Sequence, residues 1–501
     1  MSYSATFTIL HTNDRHGHYL PIAVAPGNAT AQTGDPGRSP QQFERAGRVG
    51  GFPILATAVE QLRRERGAEN VLLLDGGDGF ADDLLGNLTR GEAVVRLMNE
   101  VGYQAMALGN HDFDYGAERI RELQHMAHFP MRGANVVEKA SGQPFLGDPT
   151  LLLEAGGTRV GILALGYYHT DLTTNPSNVQ ALRFENGIEA ARRYLPNLRQ
   201  RVDVVVVLSH QGTQADRLLA KEVPGIDLIV GAHSHDEIAL LKADGVWMSQ
   251  AMSDGVALGE LVVTVEGGRI RGVRGAIHFL WTDSYQPDLL MTETIYRMRE
   301  PFRNALEPVV AIAAERIGRR YRSESPFDVL AAELLRRHTG AAVGMLPGVG
   351  YGVSLDPGPF GREQLHALLP HPSQVVMLEM SGAQILSVLE QSATNQRPPD
   401  PMESVGGLVQ TAGMRWTVDL TRPVGKRIRN SFVGETPIDP ATRYRVATHS
   451  GMLAGVHRYA AFAAGSDVRR EESTVAEVVE AGLRQMGTVR PPEAGRITLI
   501  S

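Results

Sequence analysis

The sequence predicts an α/β fold whose sheets are buried on both faces. Short and almost fully apolar runs recur through the first half of the chain, and patterns with helical spacing separate them. Strands that are apolar throughout are typical of sheets covered by helices or by another sheet. The chain has 501 residues, which is too long for one ordinary core and indicates two or three domains.

The predicted elements alternate along the first half of the chain. Leu55, Val59 and Leu62 recur at helical spacing, so a helix is expected at 53–66. A second helix is expected at 92–101, and residues 21–45, rich in Pro, Gly, Gln and Ala, are interpreted as a long loop. The strand candidates are 6–10, 71–74, 105–108, 202–208 and 227–230.

The pattern changes beyond residue 285. Residues 285–318 are expected to be helical, with a kink or break at Pro301 or Pro308. Further helices are expected at 327–337 and 383–391, and a strand at 375–380. The predicted organisation is a first domain at 1–285, a connecting helical segment at 286–322 and a second domain at 323–501.

Composition excludes several classes of function. The net charge is −7 and no long basic run occurs, which argues against a nucleic-acid polymer as partner. No apolar run is long enough to span a membrane, so no membrane association is expected. The N-terminus lacks the basic and apolar regions of a secretory signal, so we expect a cytoplasmic protein, although a mature chain trimmed of its signal would look the same.

Any metal site must use nitrogen and oxygen ligands, because the chain contains no cysteine. Asp14 and His16 follow the first strand candidate, and in an extended segment both side chains point the same way and can share an ion. Asp75 and Asp78 flank two glycines, which allow a tight turn. Asp78 could bridge two ions, whereas Asp75 is interpreted as structural. Ordinary turns with a hydrogen-bonding Asp are the alternative at both places.

More specific patterns follow other strand candidates. In the run GNHDFDYG at 109–116, Asn110 offers an amide oxygen, and His111 and Asp114 could hydrogen-bond so that the imidazole acts on a leaving-group oxygen. Single histidines are more often structural, but here several of them follow strand ends, where open α/β sheets bind ligands. These histidines are His210, His233 and His235.

The collected residues form a ligand set for two divalent cations. Nitrogen and oxygen ligands without sulfur suit Mn²⁺, Zn²⁺, Fe, Co²⁺ or Ni²⁺. Two ions roughly 3.5–4 Å apart can activate a water and hold a phosphoryl oxygen during in-line attack. The candidate ligands are Asp14, His16, Asp78, Asn110, His210, His233 and His235.

The motifs HTNDRHG, DGGD, GNHDFDYG, SHQG and GAHSH, in this order over about residues 5–265, resemble the 5′-nucleotidase family of calcineurin-like metallophosphoesterases. The resemblance implies a four-layer α/β/β/α domain followed by a smaller α+β substrate-binding domain. It also implies that His111 and Asp114 are the catalytic dyad. The implied first metal site is Asp14, His16, Asp78 and His235, and the second is Asp78, Asn110, His210 and His233, with Asp78 as the bridge.

The second half resembles the family's substrate domain less closely. The family's Asn-Gly-Gly-x-Arg-like motif is replaced by MLPGVGYG at 345–352, and Leu408 stands where one of two base-stacking aromatics is usual. Tyr459 keeps the other aromatic position. Tyr351 and Arg415 are further candidate substrate contacts, with ordinary packing as the alternative. The expected substrates are nucleoside monophosphates or related nucleotides, including cyclic nucleotides and nucleotide sugars.

Two other functions are kept as alternatives. The stretch at 347–352 is similar to an element of bacterial thiosulfohydrolases, which share this fold. A non-catalytic, metal-stabilised binding protein is the other alternative, although such a protein has no use for the pair His111 and Asp114. The oligomeric state is left open.

Overall fold

The protein, described by a computed structural model over residues 4–26, 43–80, 83–349 and 352–501, divides into two units next to Arg303. The first unit contains most of the chain up to Arg303, and the second contains Asn304–Ser501. In the described part of the chain, no helix combines the length and the apolar character needed to cross a bilayer.

Two six-stranded sheets form the centre of the first unit. In spatial order, the first sheet contains Arg269–Phe279, Ala257–Glu266, Ser4–Thr12, Val71–Asp75, Ala105–Ala107 and Met131–Arg132. The second contains Glu237–Ala243, Val246–Ala251, Leu228–Gly231, Val204–Ser209, Thr158–Leu165 and Thr150–Ala155. The central strands of each sheet run parallel, so their carboxyl ends meet at one edge of each sheet.

The two sheets pack face to face. Ile9 and Leu72 of the first sheet share one core with Val160 and Val206 of the second. The helices of this unit are Phe52–Arg66, Leu84–Thr89, Glu92–Val101, Ala117–Met126, Gly187–Arg199, Thr213–Glu222 and Leu289–Arg299. The helices at 187–199 and 213–222 pack on the outer face of the second sheet, and the helix at 52–66 contacts the first strand. This arrangement confirms the four-layer α/β/β/α architecture.

The second unit is built around a five-stranded sheet with a core on each face. Val375 and Ala447 point into one core, whereas their neighbours Val376 and Val446 point into the other. The sheet contains, in spatial order, Gln410–Ala412, Val343–Leu346, Arg443–His449, Gln374–Ser381 and Ser466–Thr474. The main helices are Pro326–Thr339, Arg362–Leu368, Gly382–Gln396 and Val475–Met486. This mixture of helices and mostly antiparallel strands confirms the expected α+β unit.

Two smaller sheets complete this unit. One contains Thr436–Pro437, Ile428–Val433, Met414–Asp419 and Ile497–Ile500, and the other contains Gly358–Gly361, Val309–Ala313 and Thr488–Val489.

The expected helical segment at 285–318 is only partly helical. Helices at Leu289–Arg299 and Arg303–Leu306 are present, but Val309–Ala313 is a strand that pairs with Gly358–Gly361 and Thr488–Val489. The helical expectation is therefore wrong over this stretch. Pro308 cannot continue a helix, and the following β-branched residues favour a strand.

The expected loop at 21–45 also contains some regular structure. Ile22–Val24 pairs with Gly47–Val49 as a short antiparallel ribbon. The part of this loop from 27 to 42 lies outside the described residues.

Candidate metal centre

Loops at the carboxyl edges of both sheets carry the candidate ligands. Asp14 and His16 follow Ser4–Thr12, and Asp78 follows Val71–Asp75. Asn110 comes three residues after Ala105–Ala107, in the same sheet. The second sheet supplies His210 directly after Val204–Ser209, and His233 and His235 after Leu228–Gly231.

These loops bring the ligand atoms into two adjacent clusters. Ligand atoms of Asp14, His16 and His235 lie within 4.8 Å of one another, and so do those of Asp78, His210 and His233. The two clusters meet at His210, whose Nε2 lies 3.1 Å from Asp78 Oδ2 and 3.7 Å from Asp14 Oδ1. The first sheet and the second sheet therefore each contribute to both clusters.

Three buried ligand atoms make no hydrogen bond of normal geometry among the described residues, although an imidazole or a carboxylate of the site lies close to two of them. They are Asp14 Oδ1, Asn110 Oδ1 and His210 Nε2. A buried polar atom without a partner costs about 1–3 kcal/mol, so such atoms are rare and need an explanation. His210 Nδ1–H donates to the carbonyl of Gly76 at 2.7 Å, which directs Nε2 toward the clusters. The donor set and its orientation fit divalent cations.

The backbone at these positions is strained. A left-handed φ is uncommon for residues other than glycine and costs on the order of 1–3 kcal/mol. Five of the seven candidate ligands adopt it: Asp14 (48°), His16 (49°), Asp78 (55°), His233 (71°) and His235 (55°). Hydrogen bonds from the amide of Asp14 to the carbonyl of Gly77 and from the amide of His16 to that of Asp78 hold two of these loops together. Such strain is typical of functional sites.

Carboxylates and burial shift the pKa values of two histidines in opposite directions. Burial lowers the pKa of His210, but the adjacent carboxylates of Asp78 and Asp14 outweigh it and raise the value to about 10. Burial, assisted by the nearby His210, lowers the pKa of His233 to about 3. The site therefore attracts positive charge next to Asp78 and keeps His233 neutral, as a metal ligand must be.

His111 and Asp114 form the expected pair. His111 Nδ1 lies 2.9 Å from Asp114 Oδ2, and both side chains are 13% exposed, so solvent or a ligand can reach them. The backbone N–H of His111 donates to Asp78 Oδ1 at 2.7 Å. The dyad is therefore attached directly to a candidate ligand.

Several supporting residues were not found from the sequence. Asp112 accepts hydrogen bonds from the backbone N–H groups of Asp78, Gly79 and Gly109 at 2.8–3.0 Å, which joins two ligand loops. Tyr167 stacks on the ring of His233 with a centroid distance of 3.8 Å. Tyr167 follows Thr158–Leu165, so the rule of strand ends could have indicated it.

Gln250 holds the loop that carries His233 and His235. Its Oε1 accepts from Ser234 Oγ at 3.0 Å and from the amide of Asp236 at 2.5 Å, and its Nε2 donates to the carbonyl of Ala232 at 3.2 Å. Gln250 is fully buried on the strand Val246–Ala251 and so ties this loop to the second sheet.

The predicted substrate contacts in the second unit do not form a solvent-accessible site in the described residues. Leu408 and Tyr459 are fully buried in the same core, where burial raises the pKa of Tyr459 to about 12. Arg415 is exposed and pairs with Glu435 at 2.7 Å. Tyr351 lies outside the described residues. Neither Leu408 nor Tyr459 presents a face to solvent, so neither can stack on a base in this conformation.

Two protein-family models match the chain. The model described as calcineurin-like phosphoesterase matches residues 7–237, which include all the candidate ligands and the dyad. The model described as 5′-nucleotidase, C-terminal domain, matches residues 308–464 of the second unit.

Individual proteins with similar sequences or structures agree with these matches. The chain is 26% identical to the snake venom 5′-nucleotidase of Naja atra, over 99% of this chain and 98% of that protein. It superposes on the 5′-nucleotidase precursor of Thermus thermophilus with a TM-score of 0.87 and 26% identity over 99% of both chains. It also shares its fold with the sulfate thiohydrolase SoxB of Thermus thermophilus, with a TM-score of 0.88 and 24% identity over 99% of this chain and 96% of that chain.

Proposed function

Since the chain belongs to the 5′-nucleotidase family of calcineurin-like phosphoesterases, whose members bind two divalent metals, we propose that it releases phosphate from nucleoside monophosphates or related nucleotides. It is a metal-dependent phosphoester hydrolase. The observation that carries the proposal is the pair of ligand clusters with three buried atoms that lack hydrogen-bond partners in the described part of the chain.

We assign the first metal site to Asp14, His16, Asp78 and His235. We assign the second to Asp78, Asn110, His210 and His233. His210 Nε2 lies close to both Asp78 and Asp14, so the two clusters are near enough for one carboxylate to serve both, and we propose Asp78 for that role. Mn²⁺, Zn²⁺, Fe, Co²⁺ and Ni²⁺ all suit this set of nitrogen and oxygen donors. Two such cations supply Lewis-acid stabilisation of the phosphoryl group and an activated water.

The dyad completes the reaction. Asp114 holds Nδ1 of His111 at 2.9 Å, which fixes the ring and leaves Nε2 to donate a proton to the leaving oxygen. The hydrogen bond from the backbone N–H of His111 to Asp78 Oδ1 holds the His111 residue next to the loop that carries Asp78.

We propose a division of roles along the chain. The first unit, which ends at Arg303, carries the chemistry, and residues 304–501 select the substrate; the predicted connector at 286–322 is divided between the two units. The family match at 308–464 supports the last assignment. Substrate contacts by Tyr459, Leu408, Tyr351 and Arg415 stay predictions, as do the cytoplasmic location and the absence of a membrane or nucleic-acid partner.

The test is phosphate release from nucleoside monophosphates, cyclic nucleotides, nucleotide sugars and an aryl phosphate, with Mn²⁺ added and then with a chelator. Release from one nucleotide class that the chelator abolishes supports the proposal. Release from the aryl phosphate alone means that the metal centre works but the second unit selects another substrate. No release from any phosphoester by the protein with two metals bound contradicts hydrolysis and favours a binding protein.

The thiosulfohydrolase alternative is tested in the same experiment. A thiosulfonate conjugate is added to the panel, and sulfate is measured. Sulfate release that exceeds phosphate release from every nucleotide would replace the nucleotidase proposal.

A further inference from the structure

Three arginines surround one cavity in the second unit. The cavity has a volume of about 530 Å³ and is lined by Arg397, Leu420, Thr421, Arg422, Pro423 and Arg427. We call it the arginine cleft. It lies where the helix Gly382–Gln396 ends and where the turn between the strands Met414–Asp419 and Ile428–Val433 passes. Its volume is within the range of small-molecule sites, roughly 300–1,000 Å³, but it is open to solvent, and four of its six lining residues are exposed.

Arg427 is built into the cleft. Its side chain is only 6% exposed, and it donates to three backbone carbonyls, those of Arg422 at 3.1 Å, Ala393 at 2.9 Å and Arg397 at 2.7 Å. These bonds use Nε and Nη1. Within the described residues Nη2 makes no hydrogen bond, so the oriented guanidinium retains one amino group whose donors are unused, and Arg427 lines the cavity.

The positive charges of the cleft are only partly balanced by the protein. Among the described residues, no carboxylate forms an ion pair with Arg397, Arg422 or Arg427. Asp419, next to the cleft, accepts from Thr421 and pairs with Arg429 instead, and Glu390 accepts from the amide of Ile428. Burial, and after it the proximity of Arg397, lowers the pKa of Arg427, and the nearby Glu390 carboxylate offsets part of this effect. Three guanidinium groups in one place, of which only Arg427 has a nearby carboxylate among the described residues, contrast with a chain whose net charge is −7.

We propose that the arginine cleft binds the phosphate group of a small phosphorylated molecule. Guanidinium groups match phosphate oxygens with charge-assisted hydrogen bonds, and an anion here relieves the repulsion among three like charges. The apolar side chains of Leu420 and Pro423 leave room for an organic part beyond the phosphate. Inorganic phosphate and a nucleotide carry the same group, so both are candidate ligands. The inference does not depend on hydrolysis at the metal centre.

The test compares the metal-loaded protein with the double variant R397A/R422A. Both arginines are exposed, so their replacement should not disturb the fold. Arg427 donates to the backbone carbonyls of Arg422 and Arg397, which alanine retains, so Arg427 keeps its position. Calorimetric titration with inorganic phosphate, and separately with a non-hydrolysable nucleoside 5′-phosphonate, measures the number of sites and their affinity. The control is R469A/R490A, which removes two exposed arginines of the same unit that have carboxylate partners.

The expected result is two binding events: one at the metal centre that is the same in both variants, and one at the cleft that persists in the control and weakens about tenfold or more in R397A/R422A. Binding of the phosphonate with greater affinity than of phosphate would identify a nucleotide as the ligand, and equal affinity would identify phosphate itself. Unchanged titrations in R397A/R422A, or equal losses in the control, would overturn the proposal. Phosphoester hydrolysis is measured in parallel, so failure at the metal centre is distinguished from failure at the cleft.

Discussion

The candidate functional residues are buried for different reasons in the sheet-edge loops of the first unit and in the core of the second unit. At the sheet edges, Asp14, Asn110 and His210 are buried with atoms that find no hydrogen-bond partner among the described residues, and the backbone is strained. In the second unit, Leu408 and Tyr459 are buried by close packing with apolar neighbours.

This difference in the kind of group that is buried distinguishes a candidate ligand-binding site from an ordinary hydrophobic core. Packing explains the burial of Leu408 completely, because an apolar side chain gains by leaving water. The polar ligand atoms are buried in short contacts with one another, such as His210 Nε2 and Asp78 Oδ2 at 3.1 Å, and without hydrogen bonds of normal geometry among the described residues, an arrangement that a bound cation would satisfy. Four substitutions can break or sharpen this contrast.

The largest effect is expected for Asp78→Ala. This change removes the carboxylate proposed to bridge both ions, so metal content should fall from two per chain and kcat/KM should fall by far more than the roughly 10–100-fold typical of an outer hydrogen-bond partner. Elemental analysis and phosphate release measure the two quantities. Asp75→Asn is the control, because Asp75 bonds Thr12 and the amide of Gly77 in the same loop. Unchanged metal stoichiometry in Asp78→Ala would contradict the bridging assignment.

His111→Ala should lower kcat by roughly 10²–10⁴-fold while both metals stay bound, because it removes a general acid and no ligand. A leaving group whose conjugate acid has a low pKa departs readily without being protonated by a general acid. The loss should therefore be much smaller on 4-nitrophenyl phosphate than on a nucleoside monophosphate. Steady-state kinetics on both substrates check this, and equal losses on the two would exclude the proton-donor role.

The sequence indicated the candidate ligands, which the structure brings into two clusters, because strand ends are visible locally. An apolar run followed by Asp, Asn or His needs no knowledge of tertiary structure, and parallel pairing places such ends at one edge. Gln250 could not be found in this way, since it meets Ser234 only through the order of strands in the second sheet.

Tertiary context also explains the errors in the second half of the chain. Val309–Ala313 became a strand because partners from residues 358–361 and 488–489 were available to pair with it. The burial of Leu408 likewise depends on packing between elements that sequence periodicity does not reveal.

Gln250→Ala should weaken metal binding by roughly 10–100-fold, since it removes three hydrogen bonds that hold the loop of His233 and His235. Activity should return when excess metal is added. Ser249→Ala is the matched control, because Ser249 is a buried neighbour on the same strand whose hydroxyl bonds His11 and not the ligand loop. If both variants lose thermal stability but keep wild-type metal affinity, Gln250 has a structural role only.

The smallest effect on catalysis is expected for Leu408→Ala. Removing this fully buried side chain should lower the free energy of unfolding by about 2–5 kcal/mol through a cavity in the core. Metal content and kcat on an aryl phosphate should stay unchanged, because the metal centre belongs to the other unit. Denaturant unfolding and steady-state kinetics measure these quantities. A rise in KM for nucleotides without loss of stability would instead mean that Leu408 contacts the base, and the second unit would then have to open its core to bind substrate.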